Sequence, residues 1–146
     1  MTLTKILLLV APLLLSPLFV LGSQYLFPTF LREGARIFLA MDLPGSLARK
    51  VGIDLAVRTV VILVLCWMAG YGCLLLGLSL WFTIGFGIFG VFLAMLGTIT
   101  LCRGRLAIRS FNDAMLVGLI AFAGGNLPIF VLVPLALLGM KLFAWE

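Results

Sequence analysis

Residues 59–102 run for 44 positions without an Asp, Glu, Lys or Arg. As one helix rising about 1.5 Å per residue, the stretch would measure roughly 66 Å, about twice the hydrocarbon thickness of a bilayer. It must fold back on itself. The pattern therefore predicts a transmembrane helical hairpin, and the charges that flank it, Arg58 before and Arg103 after, are forced onto one face of the membrane.

The rest of the composition agrees. With 64% hydrophobic and 10% charged residues and a mean hydropathy of +1.33, the chain carries more apolar surface than a single soluble core of 146 residues can use. The expected fold class is an all-α integral membrane protein in one domain over residues 1–146. Four spans are expected, at roughly 4–27, 59–78, 81–102 and 114–140, with a charged amphipathic segment at 29–57 forming short interfacial helices.

The first span also reads as a secretory signal: Lys5 precedes an apolar run over 6–21, and Val20, Leu21 and Gly22 make a crude cleavage site. A retained span is the expectation. Pro12 and Pro17 each remove a helical hydrogen bond within it, which Ser16 or a neighbouring helix must help replace, so a kink or re-entrant turn is anticipated. Pro28 reads as the end of the span and Thr29 as the cap of a new helix. From 30 to 41, Arg32, Glu33 and Arg36 share one wedge of a helical wheel. Phe30, Leu31, Ile37, Phe38 and Met41 share the other. Two readings fit this pattern equally: a helix lying in the interface, and a continuation of the first span beyond the membrane. Residues 42–45, Asp-Leu-Pro-Gly, make a turn. Ser46 can cap a second helix, on which Asp54 and Arg58 are spaced to pair.

The hairpin is expected to turn near residues 77–81, with Trp81 at the far interface. Trp67 falls well inside the first arm, where its indole N–H calls for a helix contact. Beyond the hairpin, Ser110 and Asp113 form an N-terminal capping pattern. The last apolar segment, 114–144, is too long for one upright span and contains Gly124, Gly125, Asn126 and Pro128, which predict a tilted, kinked or interrupted helix. Splitting it at Gly125 gives a five-span alternative, whose first half from Phe111 is only about fifteen residues, short for a crossing.

The basic residues set orientation. Arg32, Arg36, Arg49, Lys50, Arg58, Arg103, Arg105 and Arg109 lie in two connections on one side, against Lys5 and Lys141 opposite. By the positive-inside rule these connections are cytoplasmic, and a bacterial inner membrane is the expected location. The net charge of +5 does not point to nucleic acid, since the cations border apolar spans instead of forming a stripe with interleaved aromatics. They read as membrane-surface contacts.

Chemistry is sparse. The chain has no His, which removes the usual general base, the commonest metal ligand and the ordinary haem anchor. Cys66, Cys73 and Cys102 form no CxxC and read as small residues packed between helices. No ionisable group lies in the core of a span, which argues against a proton-coupled carrier. Asp42, Asp54 and Asp113 have turn, pair or cap roles without a catalytic partner. No enzyme, metal or cofactor is expected.

Two features remain. Gly85-Phe86-Gly87-Ile88-Phe89-Gly90 matches the dinucleotide fingerprint letter for letter, but the strand, soluble helix and acidic residue that the fingerprint needs are missing. The membrane reading is a helix-packing surface made by Gly85, Gly87, Gly90, Ala94 and Gly97, on which another backbone approaches closely. The other feature is the break at Gly124, Gly125, Asn126 and Pro128. Unwound backbone there can present carbonyls to a small solute, or Asn126 can simply sit at a kink or bond two helices. The expected partners are the lipid bilayer and other membrane-protein subunits or further copies of the chain. The leading functional expectation is a non-catalytic subunit of an inner-membrane assembly for secretion, conjugation or transport. The alternative is a small homo-oligomeric channel or transporter with its pathway at the broken last helix.

Overall fold

A computed structural model describes residues 3–131. Four helices follow one another: α1 (Leu3–Leu39), α2 (Gly45–Leu75), α3 (Leu80–Arg105) and α4 (Phe111–Gly125), with no strand among the described residues. The first three are long and apolar enough to cross a membrane, and α4 is a shorter apolar helix. The protein is an all-α membrane protein. Each helix packs on its chain neighbours, and α4 also returns to α1.

The hairpin lies where the uncharged stretch requires it. α2 ends at Leu75 and α3 starts at Leu80. Gly77 adopts φ +79°, the left-handed conformation that closes a helix end. Around it Gly77 N–H bonds the Leu74 carbonyl at 3.1 Å and Leu78 N–H the Cys73 carbonyl at 3.0 Å, the paired closure of a Schellman end. Ser79 caps α3 by accepting from the Trp81 N–H. Trp81 is exposed beside this turn.

On the other side of the hairpin several expectations need correcting. Around 29–39 the continuation reading holds, with α1 running on to Leu39, and residues 45–58 run directly into the hairpin as the start of α2, so separate interfacial helices over 29–57 are not formed. Pro28 does not end the first span. α1 passes through Pro12, Pro17 and Pro28 as one helix of 37 residues. The carbonyl that Pro17 leaves without its usual N–H is that of Leu13, and Ser16 Oγ donates to it at 2.7 Å. Thr29 caps nothing; inside the helix its hydroxyl donates to the Tyr25 carbonyl. α2 starts at Gly45 behind Pro44 with no side-chain cap, so Ser46 is already helical. Asp54 pairs with Arg105 of α3 at 2.8 Å, not with Arg58, and so ties two helices together. Both partners are about half exposed, and such a pair contributes less than about 1 kcal/mol.

The last segment is interrupted as its glycines and proline suggest. α4 ends at Gly125, Asn126 makes a turn, and helix resumes over 127–131. Of the expected span over 114–140, residues 132–140 lie outside the described residues, and the described part is a 15-residue helix, about 22 Å long, followed by a fresh start. That length falls short of a hydrocarbon core of about 30 Å.

The core is concentrated toward one end of the bundle. The contiguous buried cluster comprises Phe27, Leu31 and Ala35 of α1, Ala48, Val51, Leu55 and Ala56 of α2, Leu101 and Cys102 of α3, and Ala114, Val117 and Ala121 of α4, with Leu43, Leu106 and Ile108 from the connections. In α2 all of these precede Arg58, and in α3 all lie at the last two turns. The packed core is thus a head at the charged end of the bundle. Above it, α1, α2 and α3 expose Leu14, Leu18, Leu65, Ile88 and Phe92 among many other apolar side chains. Those lengths form a shaft whose natural solvent is lipid.

Candidate functional site

The expected packing surface on α3 divides into two faces. Gly90 lies against Cys66 of α2: a Cβ on it would come within 2.8 Å of the Cys66 Cβ. Ala94 is buried, and Gly97 faces Ile62 of α2 at an ordinary contact distance. These three make the intramolecular α2–α3 seam, and Cys66 fills the notch that Gly90 leaves. Thr83 closes the upper end of the seam by donating its hydroxyl to the Gly70 carbonyl at 2.8 Å. Gly85 and Gly87 behave differently. Nothing lies within 4 Å of a Cβ built on either.

Gly87 instead forms the floor of an open apolar groove on the outer face of α3. Ile84, Ile88, Val91, Phe92 and Met95 line the rest of it. Their spacing of three and four residues is that of one helix face, so the groove belongs to α3 alone and is presented outward. On its other side Gly87 touches an apolar cavity of about 460 Å³ between α1, α2 and α3, bordered by Pro12, Phe19, Val64, Trp67 and Val91. Trp67 stacks at 6.0 Å on Tyr71, one turn along its own helix.

The break after α4 is packed shut. A Cβ on Gly124 would fall on the Phe30 ring and one on Gly125 on the Phe27 ring. Both glycines and Asn126 are buried, and Pro128 is half-buried. The glycines therefore admit aromatic rings of α1. Asn126 joins two helices end to end: its side-chain amide donates to the Phe122 carbonyl at 2.8 Å, and its own carbonyl accepts from Ile129 at 3.0 Å and Phe130 at 3.2 Å. Asn126 thus stands at a helix break. Its Oδ1 and the Ser23 Oγ of α1 are buried without a hydrogen-bond partner.

The eight basic side chains, Arg32, Arg36, Arg49, Lys50, Arg58, Arg103, Arg105 and Arg109, are all exposed. Arg36 pairs with Glu33 at 2.8 Å, Arg105 with Asp54, and the Arg103 guanidinium lies 5.9 Å from the centre of the Phe111 ring. Asp113 falls in the first turn of α4, as the capping pattern requires, although the Ser110 side chain makes no capping bond. Among the described residues no three His, Cys, Asp or Glu side chains come together as a metal site.

Sequence reasoning missed the glycines of the head. Gly52 meets Pro28, Gly118 meets Ile99, and Gly34 meets Val117 and Ile120. Gly52 and Gly118 each lie within a run of small and apolar residues at helical spacing, which was the available signal.

No protein-family model matches the chain, and no curated protein or solved structure is detectably similar to it.

Proposed function

We propose that this protein is a non-catalytic integral subunit of a larger inner-membrane assembly, of the kind that carries out secretion, conjugation or transport. The observation that carries the proposal is the outward groove of α3. There Gly87 interrupts a ridge of Ile84, Ile88, Val91 and Phe92 and touches nothing of its own chain within van der Waals reach. In lipid, helices associate through close backbone approach at small residues, because apolar burial alone offers no gain. The head supports this reading, since it gives the bundle a packed core without using that face of α3. A solute pathway at Asn126 has less support, because the Phe27 and Phe30 rings occupy the space beside Gly124 and Gly125.

Purification in mild detergent followed by mass analysis is the test. The chain is expected to emerge with partner subunits or further copies of itself, and a lone monomer removes the support for the proposal. Gly87→Phe is expected to release those partners while leaving the melting temperature of the chain within about 2 °C, since the added ring points into open space.

The proposed orientation puts the head and its eight cations in the cytoplasm, in a bacterial inner membrane. It is tested with Leu78→Cys at the exposed hairpin turn, after replacing Cys66, Cys73 and Cys102. An impermeant thiol reagent should label it from the periplasmic side, and labelling only after the cells are opened would reverse the orientation.

A further inference from the structure

We infer that the shallow basin at the foot of α3 binds the headgroup of an anionic phospholipid, with its phosphate between Arg103 and Arg109. The basin measures about 550 Å³, and Thr100, Arg103, Gly104, Ala107, Arg109 and Phe111 line it. Its depth is set by the sequence. Arg103 is the first charge after the uncharged stretch, so the basin spans the border between hydrocarbon and headgroups.

A shared basin free of carboxylates distinguishes these guanidinium groups from the other exposed cations, among which Arg32, Arg49, Lys50 and Arg58 also form no ion pair among the described residues. Arg36 and Arg105 are occupied by Glu33 and Asp54. Arg103 and Arg109 form no ion pair among the described residues, and no carboxylate lines their basin. The Phe111 ring lies 5.9 Å from the Arg103 guanidinium carbon and holds that fork by a cation–π contact. Ala107 adopts φ +51°, a left-handed turn that folds the connection back after α3 and brings Arg109 into the same basin. Paired guanidinium forks match the geometry of a phosphodiester.

The apolar side fits a lipid as well. Thr100, Leu96 and Phe92 follow one another at four-residue steps up α3, all exposed, and give an acyl chain a continuous track away from the basin. The polar basin between α1 and α2 makes a contrast. Arg32 and Arg36 share it with Glu33 and Asp42, whose carboxylates repel a phosphate.

The test is native mass spectrometry of the full chain in mild detergent, titrated with phosphatidylglycerol and with phosphatidylcholine of the same acyl chains. Phosphatidylglycerol should be retained preferentially. The double variant Arg103→Gln/Arg109→Gln should lose about tenfold or more in retained lipid, consistent with about 1 kcal/mol per cation at a membrane surface. Arg49→Gln/Lys50→Gln removes the same charge from the same end and should change retention less than about twofold. Equal losses from the two double variants would mean diffuse attraction and overturn the site. So would equal retention of both lipids, or displacement of the lipid by millimolar inorganic phosphate. Should the Gln pair fail to fold, Arg103→Lys/Arg109→Lys keeps the charge and removes the forks. It is expected to lower retention about threefold, and unchanged retention in that variant would count against the basin.

Discussion

Phe27→Ala should cost about 3–5 kcal/mol, the range for emptying a closed aromatic site in a protein core. Phe27 is fully buried, and its ring fills the space that Gly125 leaves by having no side chain. The next residue, Pro28, packs on Gly52, so the ring sits where α1 meets both α2 and α4. Lipid tails cannot replace it, because the site is closed by protein on every side, Phe27 being fully buried. Denaturation in mild detergent checks this, by melting temperature or by titration against a denaturing detergent. The comparison is Leu14→Ala, on a shaft residue that is 65% exposed and whose loss should shift stability by less than about 1 kcal/mol. Equal effects would show that the head is not the structural core.

Gly52→Ala is expected to be a strongly damaging single methyl addition. A Cβ there would lie 2.5 Å and 2.6 Å from the Pro28 Cγ and Cδ and 2.9 Å from its nitrogen. A proline ring is fused to its backbone and cannot rotate away, so α1 and α2 must separate. Overpacking of this kind costs about 1–3 kcal/mol. It works against the gain of roughly 1 kcal/mol that alanine usually brings inside a helix. Gly72→Ala isolates that gain, because Gly72 lies on the same helix with nothing within 4 Å. The melting temperature should fall for Gly52→Ala and hold or rise for Gly72→Ala. A rise in both would mean that the α1–α2 approach is looser than the Pro28 contact requires.

The parts of this fold legible in the sequence are those where one force dominates. The cost of charge in hydrocarbon dictates the hairpin and its common charged face, and Gly77 marks the turn between Leu75 and Leu80 because a helix end there favours a left-handed residue. The interruption at Asn126 is legible from its glycines and proline. The purpose of those glycines is not. Gly124 and Gly125 look the same in sequence whether they line a pathway or admit Phe30 and Phe27, and only the third dimension separates the two.

The head is hidden for a related reason. In residues 29–58 the charges suggest the membrane surface, while Leu31, Ala35, Ala48, Val51 and Leu55 at three- and four-residue steps carry the packing signal beside them. Pro28 then misleads, since proline commonly ends a helix. Here Gly52 makes room for its ring, and the helix continues. Within the α3 glycine motif, one residue decides each role: Cys66 opposite Gly90 makes a seam, and empty space opposite Gly87 leaves a groove.

Placing the core at one end gives the chain two selective regimes along each helix. In the shaft, Leu, Ile, Val and Phe serve a liquid that conforms to any shape, so these positions can exchange with one another at little cost. In the head, each residue answers to a fixed neighbour, and its volume matters as much as its polarity. Sequences that share this architecture should drift freely at the lipid-facing positions of the shaft while holding Gly52, Gly118 and Gly125 as glycine, along with the Gly90 seam and the Gly87 groove. A search weighted toward hydrophobic spans would pass over such relatives, and one weighted toward the spacing of the head glycines would find them.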